Sequence, residues 1–399
     1  TWYRIAVTQE GAYQLDYATL QEMGIDVVAL NPNRIRLFGN PSGVLPEKNS
    51  EPRPDDLTEM AICVTGADDG SFDEGDLVLF YGQEPTRWVM LDEGNKTYQR
   101  ERNYYSDSTY YYLCVDSGTN GLRVGEKPTL SVENTTTVIS EFPDYVWHEE
   151  DLFNPFSLGQ NWFGEVVSSE NKELALPFVF SNLVKDKALR VNAYVFGRTK
   201  NESMFYDAWV NDNHVAINEM IKEPGKHYYA LPSSFDKQIF LESDTVMFRL
   251  NCNADPKTFL YLDYVEIYGW RQLKRTNNNF LFRLMPSQFG NDRSAVWVRN
   301  VSTGYQLWEV TSPLRPVVQE AIYSGNNLVF ATDEQTEKRY VVFRPSTAYK
   351  IESWTLLPNQ NLHGITEADN LIVTVPKFRN QAQALADYHA ANDDLTSVS

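Results

Sequence analysis

Residues 189–196 read "LRVNAYVF". Leu189, Val191, Ala193 and Val195 fall on one side of an extended chain, and Arg190, Asn192 and Tyr194 on the other. This period of two is the signature of a strand with one face on a core and one in water. The pattern recurs in "ELALPFVF", "MFYDAWVND", "TVMFRLN" and "TFLYLDYVEIYGW", with turn residues between the runs. Five such strands predict an antiparallel β-sandwich or jelly roll over 131–275.

Strand patterns extend to both sides. In 1–130, "TWYRIAVTQEGAYQL" reads as two strands around a Gln-Glu-Gly turn, followed by a short helix over "YATLQEM". Asp16 is placed to cap that helix and Gly24 to end it. "RIRLFGN" is a strand, and the loop carrying Pro41, Pro46, Pro52 and Pro54 excludes helix and central strand. "TEMAICVTG" and "DLVLFYGQ" read as a hairpin, and "YYYLCVDSG" closes the segment. In 276–365, "SAVWVRNVSTGYQLWEVT" reads as one hairpin across "VSTGY" and "VVQEAIYSGNNLVFATD" as another across "SGNN". "KRYVVFRP" is a further strand, ended at Pro345. Whether these strands complete the sandwich or stand alone is open at this level. "YLDYVEIYGW" has the look of the closing strand of galactose-binding-like sandwiches, an analogy of fold and not of function.

Residues 366–399 break the pattern. "LIVTV" is a continuous β-branched run, expected for a strand buried on both faces of a parallel sheet. After Pro376, Phe378, Ala382, Leu385 and His389 share one helical face, with Arg379, Gln383 and Asp387 opposite. "LTSVS" begins another strand. The expectation is the opening βα unit of an α/β domain that is cut short, since such a stretch is too small to fold alone. The fold class expected for the chain is therefore mainly β, in antiparallel sandwich or jelly-roll domains, with one short N-terminal helix and this terminal βα unit.

Composition excludes several functions. The 399 residues carry 35 basic and 54 acidic side chains, a net charge of −19. No basic stripe is present to neutralise phosphates, and an anionic membrane surface would repel the chain. No run of 18 apolar residues could form a spanning helix. Aromatics make up 13 % of the chain, with 23 tyrosines, which suits strands. Cys63, Cys114 and Cys252 show no metal spacing and sit mostly in apolar strand contexts, where buried structural thiols are the expectation.

No catalytic constellation is visible. "WHEED" at 147–151 offers His148 beside Glu149, Glu150 and Asp151, but a zincin helix needs a second histidine at 152, which is Leu. His214, His227, His363 and His389 read as surface or packing residues. Asp68, Asp69, Asp73, Glu74 and Asp76 crowd one loop and supply oxygen ligands of the kind calcium takes. Their spacing fits no EF-hand loop, and a plain exposed turn selects the same residues. Trp147, Trp162 and Trp209, with Tyr110 and Tyr111, raise a carbohydrate-binding alternative, against the ordinary use of aromatics in sandwich cores. Catalytic, cofactor and metal-site residues are expected to be none.

The order of the pieces is more specific than any one of them. "YRIAVTQEGAYQLDYATLQEMGID", "RIRLFGN", "DGSFDEGDLVLFYGQ", "HEEDLFNPFSLGQNWFGEVV", "YLDYVEI", "LWEVTSP" and "LIVTVPKFRNQAQALADYHAAND" occur in succession. That succession resembles the N-terminal half of the PorU-type sortases of type IX secretion, gingipain-type cysteine peptidases of Bacteroidetes. The resemblance implies that 366–399 opens a caspase-like peptidase domain whose catalytic Cys and His lie further on. It implies a cell-surface location on the outer membrane, an outer-membrane β-barrel partner of the PorV type, and secreted cargo whose C-terminal sorting domains are removed. This chain would then be a scaffold and docking region, inactive alone. A prodomain-like inhibitor or chaperone of the peptidase is a further alternative.

Overall fold

The computed structural model describes residues 1–40, 42–92, 97–115, 118–133, 135–154, 162–200, 202–253, 255–359 and 364–398. Pro41 and His363 lie outside them. The chain is mainly β, as its alternation predicts. Strand Leu189–Arg198 buries Leu189, Val191, Ala193 and Val195 completely and leaves Arg190, Asn192 and Tyr194 partly open.

That strand belongs to a central two-sheet sandwich. One sheet orders the strands Glu141–Glu149, Phe259–Gln272, Leu189–Arg198 and Leu231–Ile239, with Val166–Ser168 added beside Phe259–Gln272. The other orders Glu173–Val179, Thr245–Cys252, Met204–Val210 and Asn213–Ile221. All their pairings are antiparallel. The chain crosses between sheets after 168, 179, 198, 221, 239 and 252, the wrapping expected of a jelly-roll-like sandwich. One continuous core fills it, including Phe180, Tyr206, Phe248 and Ile267.

The remaining sheets form a stack of four layers. The first holds Trp2–Val7, Arg36–Gly39, Thr58–Met60, Thr109–Cys114 and Ser353–Leu357. The second holds Gly11–Asp16, Cys63–Val64, Leu77–Gly82 and Tyr349–Lys350. Between them lie Ile5, Tyr13, Leu37, Phe80 and Leu113, with Leu20 from the helix Tyr17–Glu22. Asp16 accepts the Thr19 amide (2.8 Å) to cap that helix, and Gly24 takes φ +83° just past its end.

The third layer comprises Gly125–Lys127, Asn279–Leu284, Gln306–Glu309, Val317–Gln319 and Lys338–Phe343. It packs on the second through Leu79, Tyr81, Trp308, Val341 and Phe343. The fourth, Thr137–Ile139, Ser294–Arg299, Ile322–Ser324 and Asn327–Thr332, packs on the third through Phe282, Val298, Phe330, Tyr340 and Val342. The strands from Asn279 to Phe343 thus pack in cores other than the sandwich's, while Tyr349–Lys350 and Ser353–Leu357 join the second and first layers. Both inner layers are covered on two faces, so "LVLFYG" and "YVVF" are buried almost without alternation.

The stack corrects three local readings. The two N-terminal strands around Gln9-Glu10-Gly11 enter different layers instead of pairing together. The run at 58–64 splits: Met60 pairs with Leu37 in the first layer, and Cys63 with Leu79 in the second. Ala61 and Ile62 make the step, donating to the carbonyls of Leu314 (3.0 Å) and Leu122 (3.1 Å). "VSTGY" does not close a hairpin either; Asn300, at φ +61°, turns the chain across the core from the fourth layer to the third. The hairpin at "SGNN" forms, Ser324 opposite Asn327, but only Ile322–Ser324 pairs across it; Val317–Gln319 joins the third layer.

Not every pairing is antiparallel. Gly125–Lys127 and Thr137–Ile139 arrive from the N-terminal part of the chain and add parallel edges to the third and fourth layers. Ser353–Leu357 returns to pair with Trp2–Val7. Long connections make such neighbours possible, where a tight turn would force antiparallel ones.

At the C-terminal end, Asn370–Leu371 and Ser397–Val398 pair in parallel around the helix Arg379–Asn392, a βαβ unit. The burial expected for "LIVTV" is absent: Leu371, Val373 and Val375 are exposed, and the helix buries only Ala382 and Ala386. No sheet packs against either face of this strand among the described residues, so its apolar run has nothing to cover it.

Candidate functional site

The central sandwich meets the stack along the strand Glu141–Glu149. Phe142 belongs to the core between the third and fourth layers, while Val146 packs on the sandwich core. A hairpin that the sequence reading missed, Arg87–Asp92 with Thr97–Glu101, lies over the joint. Its Trp88 and Tyr98 are buried against Tyr145, Tyr268 and Met285.

Charge also holds the hairpin down. Arg100, almost fully buried, donates to Glu149 and to Glu266 (3.2 Å), and Arg102 reaches Glu149 and Asp151 (2.6 Å). Glu266 also accepts from Tyr268 (2.8 Å) and Asn192 (3.3 Å). A buried ion pair adds little by itself, but removing one member strands the other without water. Asp263, beside this network, is pushed up to about 7 by burial and then by Glu149 and Asp151.

Below the hairpin lies a cavity of about 510 Å³, walled by all the parts that meet there. Glu10 and Glu84 come from the first two layers, Arg283 and Arg339 from the third, and Asp144 and Arg190 from the central sandwich. Tyr98, Tyr145, Tyr268 and Trp270 supply aromatic walls. Arg339 and Tyr81 both donate to Glu10, and Arg271 to Asp144. Burial raises the Asp144 carboxyl, with Arg271 opposing. Burial pushes Glu84 up to about 8, helped by the Glu10 carboxylate and opposed by Arg339 and Arg100. A concave site of this size with convergent polar groups and a displaced carboxyl is where ligand binding is sought first.

The residues singled out from sequence do not assemble there. Tyr111 is a core residue, Trp147 lies under the Arg100 guanidinium (4.4 Å to the ring centre), and Trp209 packs beside His214 (4.8 Å). Tyr110 is covered by Arg4 (4.8 Å), and Trp162 is exposed elsewhere on the sandwich. They make no common sugar platform. The aromatic cluster that does form was missed, and it is a small core: Phe163, Phe196 and Tyr261 are buried together, with Tyr229 packed against them under Arg198 at 4.1 Å.

In the acidic loop, the carboxylates turn inwards. Asp69 accepts from the Ser71 amide and hydroxyl (both 2.9 Å), and Asp76 from the Asp73 amide (2.8 Å). Burial pushes the Cys252 thiol up to about 11 and also raises that of Cys63, the opposite of what activates a nucleophile. Among the histidines, His148 pairs with Glu165 (2.6 Å) and His389 with Asp393 (2.7 Å), while His227 is exposed.

No family model and no curated protein sequence matches this chain. Among solved structures, the chain is similar to dimeric latent PorU from Porphyromonas gingivalis, with a TM-score of 0.81 at 19 % identity. The match covers 100 % of this chain and 37 % of that one, so the chain spans little more than a third of its neighbour's length. The fold is PorU-like. BuGH86 in complex with neoagarooctaose matches 67 % of the chain and 32 % of its own at 11 % identity, with a TM-score of only 0.22. The infectious bursal disease virus VP2 particle reaches 0.21 at 10 % identity, covering 98 % of this chain and 89 % of its own.

Proposed function

We propose that this chain is the β-rich, non-catalytic region of a PorU-like sortase, acting as scaffold and as docking surface for partner and cargo at the cell surface. The observation that carries the reading is the agreement of the whole path, stack, sandwich and terminal βαβ unit together, with one neighbour at a TM-score of 0.81. Supporting it, no helix among the described residues is long and apolar enough to cross a membrane, and the terminal unit exposes Leu371, Val373 and Phe378. An α/β domain would need those side chains for its core. On this reading the peptidase chemistry belongs to residues beyond this sequence, and the partner is an outer-membrane β-barrel of the PorV type.

The test is a pair of measurements on the purified chain. It is expected to bind a detergent-solubilised PorV-type barrel and to leave arginyl, lysyl and cargo-tail substrates uncut. Thiol-dependent cleavage that disappears in Cys63→Ala, Cys114→Ala or Cys252→Ala overturns the reading.

A further inference from the structure

Around the junction cavity, the charged side chains are matched with one exception. Arg339 is held by Glu10, Arg190 by Asp236 (2.9 Å), Arg283 by Glu337 (3.1 Å), and Asp144 by Arg271. Each pair is neutral. Glu84 lines the same cavity and has no hydrogen-bond or ion-pair partner among the described residues. Glu84 is half-buried, and a carboxyl in a recess with reduced access to water and no donor is an arrangement that a ligand can improve.

We propose that this cavity binds a small organic cation, an alkylammonium or guanidinium group, with Glu84 as its counter-ion and Tyr98, Tyr145 and Tyr268 as its walls. The volume of about 510 Å³ lies within the range of small-ligand sites. The walls already face positive charge: Arg283 stands over Tyr98 (4.8 Å), Arg190 over Tyr268 (5.6 Å) and Lys187 over Trp270 (3.8 Å). The rings at this joint thus already hold cations by their faces, and a ligand cation would be placed by Glu84 and by the Tyr145 ring, over which no cation stands among the described residues.

Other ligand classes fit less well. An anion would find the guanidiniums already committed to carboxylates. A neutral polar molecule could at most accept a hydrogen bond from the protonated Glu84 and would gain no charge pairing, the stronger kind of contact. A divalent metal ion needs several ligands, and no group of three or more His, Cys, Asp or Glu side chains is arranged for one among the described residues.

Proton release gives the site a signature. Glu84 faces Glu10, Arg339 and Arg100, with the Tyr145 phenol packed against the same space. Burial and Glu10 together push Glu84 up to about 8, so the empty site holds a proton at neutral pH. A bound cation replaces that proton. The site stands whether or not the chain serves a sortase, because it rests on residues within the chain alone.

Calorimetric titration of the intact chain tests this, with agmatine and the peptide acetyl-Gly-Arg-Gly-amide as cationic probes and n-butanol as the neutral control. The expected result is saturable one-to-one binding of a cationic probe, with proton release at pH 7 seen by comparing two buffers. Affinity rises about tenfold per pH unit until about pH 8. Tighter binding of agmatine marks a free small molecule as the source, and tighter binding of the peptide marks a partner's side chain. Glu84→Gln, checked for native unfolding behaviour, is expected to lose at least about tenfold in affinity, a decade per 1.4 kcal/mol. Should that variant fail to fold, Glu84→Asp is expected to weaken binding instead. No saturation by either cation up to about 10 mM, a weaker binding than a millimolar site shows, overturns the proposal. So does unchanged affinity in the folded Glu84 variant, or equal binding of n-butanol.

Discussion

The central sandwich and the four-layer stack are built from the same residue types and solve burial differently. In the sandwich, each sheet has one core-facing side, and Leu189–Arg198 alternates buried and open positions along its length. In the stack, the two inner sheets have no solvent side, and Leu77–Gly82 is buried at five successive positions. Alternation is therefore a record of one-sided packing, and its loss a record of a second covering layer. Residues of the stack and of the sandwich together line the cavity.

Removing Trp308 should separate the two regions most sharply. This ring is fully buried between the second and third layers, edge-on to Phe343 (5.1 Å). Trp308→Ala is expected to cost about 3–5 kcal/mol, the usual loss for a buried aromatic. Hydrogen exchange should show protection falling in 77–82 and 306–309 while 189–198 keeps its own. Equal loss in both regions would mean that they unfold as one unit.

Glu84 probes the joint between them. Its ordinary carboxyl value of 4.5 is raised to about 8 in the fold, so the native chain keeps a proton that the unfolded chain releases between those values. Stability from this group is complete below about pH 4.5, declines as pH rises, and levels off above about 8. The span is on the order of a few kcal/mol. Thermal unfolding from pH 5 to 9 in about unit steps should show this fall in the native chain and a flatter profile in Glu84→Gln. A native profile no steeper than that of the variant would show that the carboxyl is solvated in the fold.

The smallest effect belongs to the half-open rim where the sandwich borders the cavity. Arg190 pairs with Asp236 in a half-open position. Arg190→Ala is expected to cost about 1 kcal/mol or less, measured by denaturant unfolding. A loss comparable to that of Trp308→Ala would mean that this rim is as tightly covered as the stack's interior.

Two apolar runs show how far the pattern could be read. "LVLFYG" and "LIVTV" both lack alternation, and both suggest burial on two faces. The first is buried so; the second is exposed at Leu371, Val373 and Val375. Local sequence states a capacity for burial, and only neighbouring layers fulfil it. The same holds for pairing. "DLVLFYGQ" was legible as a strand, but its partner run divides between two sheets because Ala61 and Ile62 bond to Leu314 and Leu122, far along the chain.

The sequence alone determined the fold class, the one-sided strands of the sandwich, the Asp16 cap and the terminal strand–helix unit, because these depend on periodicity and short-range hydrogen bonding. It also determined the strong negative charge that argues against phosphate-rich partners. Tertiary structure decided the layer order, the hairpin over the joint and the cavity. Glu10, Glu84, Asp144, Arg283 and Arg339 come from distant strands, and no spacing announces that they meet. Their charges acquire meaning only when the fold brings them to one recess and leaves one carboxyl, that of the half-buried Glu84, without a hydrogen-bond partner among the described residues.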